Sequence, residues 1–181
     1  MIVHAIGVTA GDVAEMAAAD STVVWTPRSD LALYGRTTPL TQLARRGVPV
    51  ALATDWIITG SGNMQRELVC AELYNRRYAA GRLTDGELFA AATRNAALAS
   101  AMDDEIGELA PGRKADFFVA PKRNGSARHR MAALRARSED LELVMRGGVA
   151  LSSPIRSPTR GREPVASTRR RTSAVIPHAS A

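Results

Sequence analysis

Ile106-Gly107-Glu108-Leu109-Ala110-Pro111-Gly112-Arg113-Lys114-Ala115-Asp116-Phe117-Phe118-Val119 reads as a chain turning back into a sheet. Pro111 and Gly112 supply the turn, because proline presets φ and glycine tolerates the left-handed region. A basic pair, Arg113 and Lys114, follows, and Ala115 to Val119 is an apolar strand. Two more strands lie downstream, Leu141 to Met145 and Val149 to Leu151, joined by the hairpin dipeptide Gly147-Gly148. Together with Phe117–Val119 they predict a small antiparallel sheet.

Upstream the pattern changes. Three apolar runs are spaced as in β/α units: Ile2–Val3 ending at His4, Thr22 to Trp25 bounded by Pro27, and Val48 to Ala53 ending at Thr54-Asp55. Helical segments separate them. Thr9 with Asp12 is a capping-box pattern ahead of Val13, Met16 and Ala17, and Pro39 opens a short helix that Gly47 closes. Apolar strands alternating with helices argue for a parallel sheet covered on its outer face. An open doubly wound sheet and a slice of a (β/α)8 barrel share this pattern, and periodicity does not separate them.

Beyond Asp55, the stretch Thr59-Gly60-Ser61-Gly62 predicts a loop, and a long helix is expected from about Asn63 to Ala80. Met64, Leu68, Ala71, Tyr74 and Tyr78 share one face of it, and Gly81 stops it. Thr84 and Glu87 form a second capping box opening a helical region from about Asp85 to Met102, with a break near Asn95.

The net charge of +6 is concentrated at one end. Between Ser152 and Ala181 six arginines face a single acid, Glu163, so the remainder is nearly neutral. Ser, Pro, Thr and Arg dominate this segment without a repeating apolar face, which predicts disorder. Arg169-Arg170-Arg171 could touch phosphates non-specifically. No aromatic stacking pattern or DNA-binding motif accompanies it, so a nucleic-acid partner is not expected. Cys70 is the only cysteine, which excludes an internal disulfide and fits a reducing compartment. The apolar start is too short for a signal peptide or a span of roughly 20 residues. A cytoplasmic protein without membrane contact is the expectation.

The Ile106–Val119 stretch resembles the segment with which amidohydrolase-superfamily enzymes return from their metal-binding barrel into a small β-domain. Val50-Ala51-Leu52-Ala53-Thr54-Asp55-Trp56 is similar to the last barrel strand with its metal-binding aspartate. The resemblance implies a partial TIM-type barrel, with the sixth, seventh and eighth strands and the returning domain over roughly residues 2–151. Residues 1–105 would be the C-terminal portion of the barrel, 106–151 the small β-domain and 152–181 the disordered basic tail.

The site residues follow from the same resemblance, since such barrels place their active sites at the C-terminal ends of the strands. His4 stands where the family has its sixth-strand histidine, which meets the metal-bound water, the substrate or a second metal. Asp55 stands where the family's aspartate binds the metal and takes the proton of the attacking water. The residues alone leave Asp55 between a turn aspartate and a paired or metal-bound one, because an unpaired buried carboxylate is costly. Trp25-Thr26-Pro27-Arg28-Ser29-Asp30 resembles the family's His-Cys-Pro-x-Ser-Asn segment. Pro27 and Ser29 match, whereas Trp25, Thr26 and Asp30 replace His, Cys and Asn. Trp25, Arg28 and Trp56 are the candidate substrate contacts, although packing or solvent exposure serves such residues equally well.

The implied activity is metal-dependent hydrolysis of a non-peptide carbon–nitrogen bond in a small-molecule substrate, with zinc as the expected divalent metal. A catalytic zinc needs three protein ligands and an open position. The family's first-strand His-x-His, fourth-strand Lys or Glu and fifth-strand His would lie before Met1, and neither His129 nor His178 is placed to replace them. A complete barrel also takes about 250 residues. The chain is therefore expected to need another polypeptide to complete its barrel, the alternative being a catalytically inactive truncated remnant.

Overall fold

The short β-branched and aliphatic runs form two separate sheets in a computed structural model that describes residues 1–121, 133, 135–152 and 175–177. In the first, β1 (Ile2–Val3), β2 (Val23–Trp25) and β3 (Val50–Leu52) lie parallel in the order β1-β2-β3. Ile2 pairs with Val23, Val23 with Val50, and Trp25 with Leu52. Helix α1 (Ala10–Ala18) connects β1 to β2, with the expected Thr9–Asp12 capping box and with Val13 and Met16 buried.

Helix α2 (Pro27–Tyr34) follows β2 directly, where the sequence pattern had shown only the end of a strand. Its signals are conformational rather than apolar. Pro27 occupies the first turn and Gly35 closes the helix at φ 65°. Its buried residues are Pro27, Ser29 and Asp30, so a search for an apolar stripe passes over it. Helix α3 (Leu40–Arg45) then leads into β3.

Helix α4 (Met64–Tyr78) is capped by Asn63, whose side chain accepts from the Arg66 amide. Leu68 and Ala71 are buried as the stripe required, while Tyr78 is exposed at the far end. Helix α5 (Asp85–Ala91) carries the Thr84–Glu87 capping box, and α6 (Arg94–Ala99) follows it. The break falls at Ala92-Thr93, slightly before Asn95, where the Thr93 hydroxyl turns back to the Phe89 carbonyl at 2.8 Å. Asn95 instead donates from its side chain to the Val50 carbonyl at 2.8 Å, meeting a backbone acceptor on β3.

The second sheet has the order β6-β5-β4-β7, all antiparallel: β4 (Phe117–Val119), β5 (Leu143–Arg146), β6 (Val149–Ser152) and β7 (Val175–Pro177). Gly147 and Gly148 turn at φ 55° and 80°, conformations that favour glycine. The Gly147 amide donates to the buried Asp116 carboxylate. β5 starts at Leu143, later than the expected Leu141, after a 3-10 turn at Ser138–Asp140.

The expectation of a disordered tail from Ser152 is corrected at two places. Ser152 ends β6, and Val175–Pro177 lie on the outer edge of β4, pairing Phe118 with Ile176. Two adjacent β-branched residues suit a strand, and the edge of β4 offers unpaired backbone groups. The tail arginines, His129 and His178 lie outside the described residues. Among the described residues no helix is long and apolar enough to cross a membrane.

The main core gathers Val13 and Met16, Val23 and Trp25, Leu40 and Leu43, and Leu68 with Leu88. Leu43 is fully buried. Leu43→Ala should therefore lower the unfolding free energy by about 2–5 kcal/mol in urea titrations. Leu33→Ala, on the exposed side of α2, should change it by about 0.5 kcal/mol or less.

Candidate active site at the ends of the parallel strands

β1 and β3 both leave the sheet through a residue in the left-handed region, His4 at φ 66° and Asp55 at φ 57°. Histidine and aspartate are among the side chains enriched in that region, yet the conformation persists only where the surroundings fix it. At His4 they do. Its amide donates to the Val24 carbonyl at 2.9 Å, and its carbonyl accepts from the Thr38 hydroxyl at 2.6 Å.

Both side chains are anchored by one turn of α2. Asp30, fully buried, lies 2.8 Å through Oδ1 from His4 Nδ1 and accepts the Thr26 hydroxyl at 2.7 Å on the same oxygen. Its Oδ2 accepts the Thr37 hydroxyl at 2.5 Å, and Thr37 Oγ1 in turn accepts the Trp25 indole N–H at 2.8 Å. The preceding residue serves the other strand end. Ser29, also fully buried, donates to Asp55 Oδ2 at 2.5 Å and lies 2.9 Å from the Thr59 hydroxyl. Consecutive residues on the helix after the central strand thus hold the residues that end the two outer strands.

Arg28, next to them, fastens the neighbouring loop. Its Nε donates to the Ser61 hydroxyl at 2.7 Å and its amide donates to Glu67 Oε1 at 3.0 Å. Glu67 is fully buried in the first turn of α4, with Oε2 lacking a hydrogen-bond partner. Burial pushes the Glu67 carboxyl above the usual glutamate range, against the pull of Ser61 and of the Arg28 amide and charge. Between Asp55 and Ser61 the loop carries Trp56, Ile57 and Ile58, which are 59%, 71% and 72% exposed. Gly60 lets it close, since a Cβ there would fall 1.8 Å from the Thr54 carbonyl oxygen.

The sequence-derived candidates are thereby sorted. His4 is half-buried beside Asp30, with the Tyr34 ring edge-on at 6.0 Å. Asp55 is exposed and held by Ser29, so the cost of burying a carboxylate does not arise there. Trp25, a candidate substrate contact, is fully buried against the edge of Tyr74 and tied to Thr37, so in this chain it is a core residue. Arg28 is a clasp with an exposed end, and Trp56 stands in the open. Cys70 is half-buried, and burial pushes its thiol up, away from thiolate character. Among the described residues, no three or more His, Cys, Asp or Glu side chains gather into a group able to hold a metal ion. Ser29, Asp30, Thr37 and Glu67 had not been singled out as site residues. The available signal was the hydroxyl and carboxyl cluster Thr26-Pro27-Arg28-Ser29-Asp30 placed directly behind an apolar strand.

Two outcomes follow from this geometry. Folded Glu67 keeps its proton to higher pH than in the unfolded chain, so its contribution to stability declines as pH rises from about 4.5 through the raised value. Glu67→Gln should flatten that decline in urea midpoints measured from about pH 4 to pH 8. Gly60→Ala should cost about 1–3 kcal/mol by forcing the loop off Thr54, whereas Gly62→Ala, with open space around it, should be close to neutral.

A family model described as the amidohydrolase family matches residues 1–151. A 5-methylthioadenosine/S-adenosylhomocysteine deaminase of Teredinibacter turnerae is 35% identical over 120 residues, 65% of this chain and 27% of that protein. An imidazolonepropionase of a Ruegeria species is 36% identical over 117 residues, 64% of this chain and 28% of that one. Among solved structures, a zinc-bound adenosine deaminase from Xanthomonas campestris superposes with a TM-score of 0.74 at 24% identity, covering 82% of this chain and 36% of that one. The chain spans roughly a quarter to a third of the proteins it resembles. With a match running from β1 to Leu151, through the parallel sheet and the turn that holds His4 and Asp55, the chain belongs to the amidohydrolase family.

Proposed function

We propose that this chain provides the last three strands of a TIM-type barrel and its return β-domain to a metal-dependent hydrolase of non-peptide carbon–nitrogen bonds. The observation that carries the reading is the common anchoring of His4 and Asp55, at the ends of two parallel strands, by Ser29 and Asp30 of one helical turn. Such a site has its donors fixed in advance, as catalysis requires.

Asp55, exposed and with Oδ2 taken by Ser29, would receive the proton of the attacking water, and His4 would meet charge developing on the substrate. The relatives' names point to small nitrogen heterocycles as the substrate class. Zinc is the metal of the reading, on the strength of the zinc-bound neighbour. His4 and Asp55 by themselves fall short of the three protein ligands a catalytic zinc takes. The remaining donors would come from outside these 181 residues.

A second reading, an inactive remnant, draws on the same shortage of ligands and on Trp25. That tryptophan is a core residue at the position where the resembling segment carries histidine. Metal content separates the two. The chain, purified from its own source with whatever accompanies it and dialysed, should retain about one zinc per chain. That zinc should be lost in the Asp55→Ala variant, and the wild type should release ammonia or open the ring of heterocyclic substrates. No metal in either protein and no hydrolysis would leave the remnant reading standing.

A further inference from the structure

We propose that Asp30 is a positioning residue that fixes His4 in the Nδ1–H tautomer, so that Nε2 is the nitrogen offered to the site. Donor accounting around Asp30 leads there. Four groups converge on its two oxygens: the hydroxyls of Thr26, Thr37 and Thr38, and His4 Nδ1. Thr37 already accepts the Trp25 indole N–H, which leaves its own proton for Asp30 Oδ2. Thr38 spends its proton on the His4 carbonyl at 2.6 Å and stands at 3.4 Å from Asp30.

Thr26 gives its proton to Oδ1 at 2.7 Å. A carboxylate has no proton to return, so a ring nitrogen 2.8 Å from the same oxygen must bring its own. With that proton on Nδ1, the Thr26 oxygen at 2.9 Å serves as a second, weaker acceptor for it. The opposite tautomer would set the Nδ1 lone pair against Oδ1 in a fully buried corner.

The orientation is fixed as well as the proton. The His4 backbone is held in the left-handed region from both sides, by Val24 and by Thr38, and the ring has Tyr34 against it. Nε2 has no hydrogen-bond partner among the described residues, and the side chain is 28% exposed. A histidine that gives its second ring N–H to a carboxylate is the usual arrangement for an imidazole presenting the other nitrogen as an acceptor or ligand.

Asp30 also differs from the asparagine that the resembling segment carries. An amide offers one acceptor and one donor end, whereas the ring nitrogen and the Thr26 and Thr37 hydroxyls here are all donors. Use of Nε2 in the reaction rests on the hydrolase reading; the tautomer does not.

The test is long-range proton–nitrogen correlation on the imidazole rings of the nitrogen-15-labelled full chain. It is recorded about two pH units above the ordinary histidine value of about 6.5, with His4 assigned by its disappearance in His4→Gln. The expected spectrum shows His4 Nδ1 as the protonated, pyrrole-type nitrogen and Nε2 as the pyridine-type one, in about tenfold excess over the other form. In Asp30→Asn that excess should fall, because a neutral acceptor replaces a charged one. A wild-type His4 protonated on Nε2, or mixed as in a free histidine peptide, would overturn the proposal. So would a folded Asp30→Asn chain with the excess unchanged. If Asp30→Asn does not fold, the wild-type spectrum alone decides. Failure of the hydrolase reading would show instead as absence of zinc with the tautomer intact.

Discussion

A carboxylate with no exposure to water is tolerable only if its lone pairs are met, and Asp30 is such a carboxylate. The groups that meet them come from three places: Thr26 from its own helix start, Thr37 from the link into α3, and His4 from the end of β1. The indole of Trp25 in β2 is joined through Thr37. The group therefore binds the first strand, the second strand and the link between α2 and α3 at one point. Removing the carboxylate would leave several polar groups unmet in the core, a larger penalty than the loss of any single bond. Ser29 extends the same turn to β3 through Asp55, so the relative placing of the three strand ends depends on two adjacent side chains.

A three-stranded parallel sheet has two open edges, and its backbone groups need partners. On the β3 side the chain supplies one from a distance, the Asn95 amide on the Val50 carbonyl, with α6 packed along that strand. The small antiparallel sheet is joined to the rest by α4: Arg135 bridges to Glu72, and Asn63 reaches Ser138. Phe89 packs against both hydrophobic clusters, so α5 bridges the two sheets from the apolar side. On the polar side, the Arg28–Ser61–Glu67 clasp ties the start of α4 to the turn that holds the strand ends.

Much of this was legible where an apolar period or a capping box existed. The three parallel strands, α1 with Thr9, α4 with Asn63, α5 with Thr84 and the Gly147-Gly148 hairpin all carry local signals that tertiary packing merely completes. Helix α2 and the polar network did not register, for a single reason. Burial of hydroxyl and carboxyl groups gives no periodic signal, because each is stabilised by partners remote in sequence, such as His4 for Asp30 and Asp55 for Ser29. Within the tail, the strand Val175–Pro177 was missed for a related reason: it is too short to stand out, and its place as a strand depends on β4. His4, Asp55 and Trp25 were all assigned by resemblance, which gives a position and not the direction of a side chain; the structure brings His4 and Asp55 to one helical turn and puts Trp25 in the core.

The differences from the resembling segment become coherent when taken together rather than one by one. Tryptophan at position 25 places an indole N–H where Thr37 can accept it; Thr37, thus engaged, turns its own proton onto Asp30. A carboxylate at position 30 can take that proton as well as those of Thr26 and His4, which an amide could not match with acceptors alone. Threonine at position 26 supplies a donor on the same oxygen that faces the histidine. Each replacement satisfies a hydrogen-bonding need created by another, and the series ends at His4. The end of β1 is therefore held by a network in which Trp25, Thr26 and Asp30 are mutually dependent. A change at any one of them should be read at the imidazole.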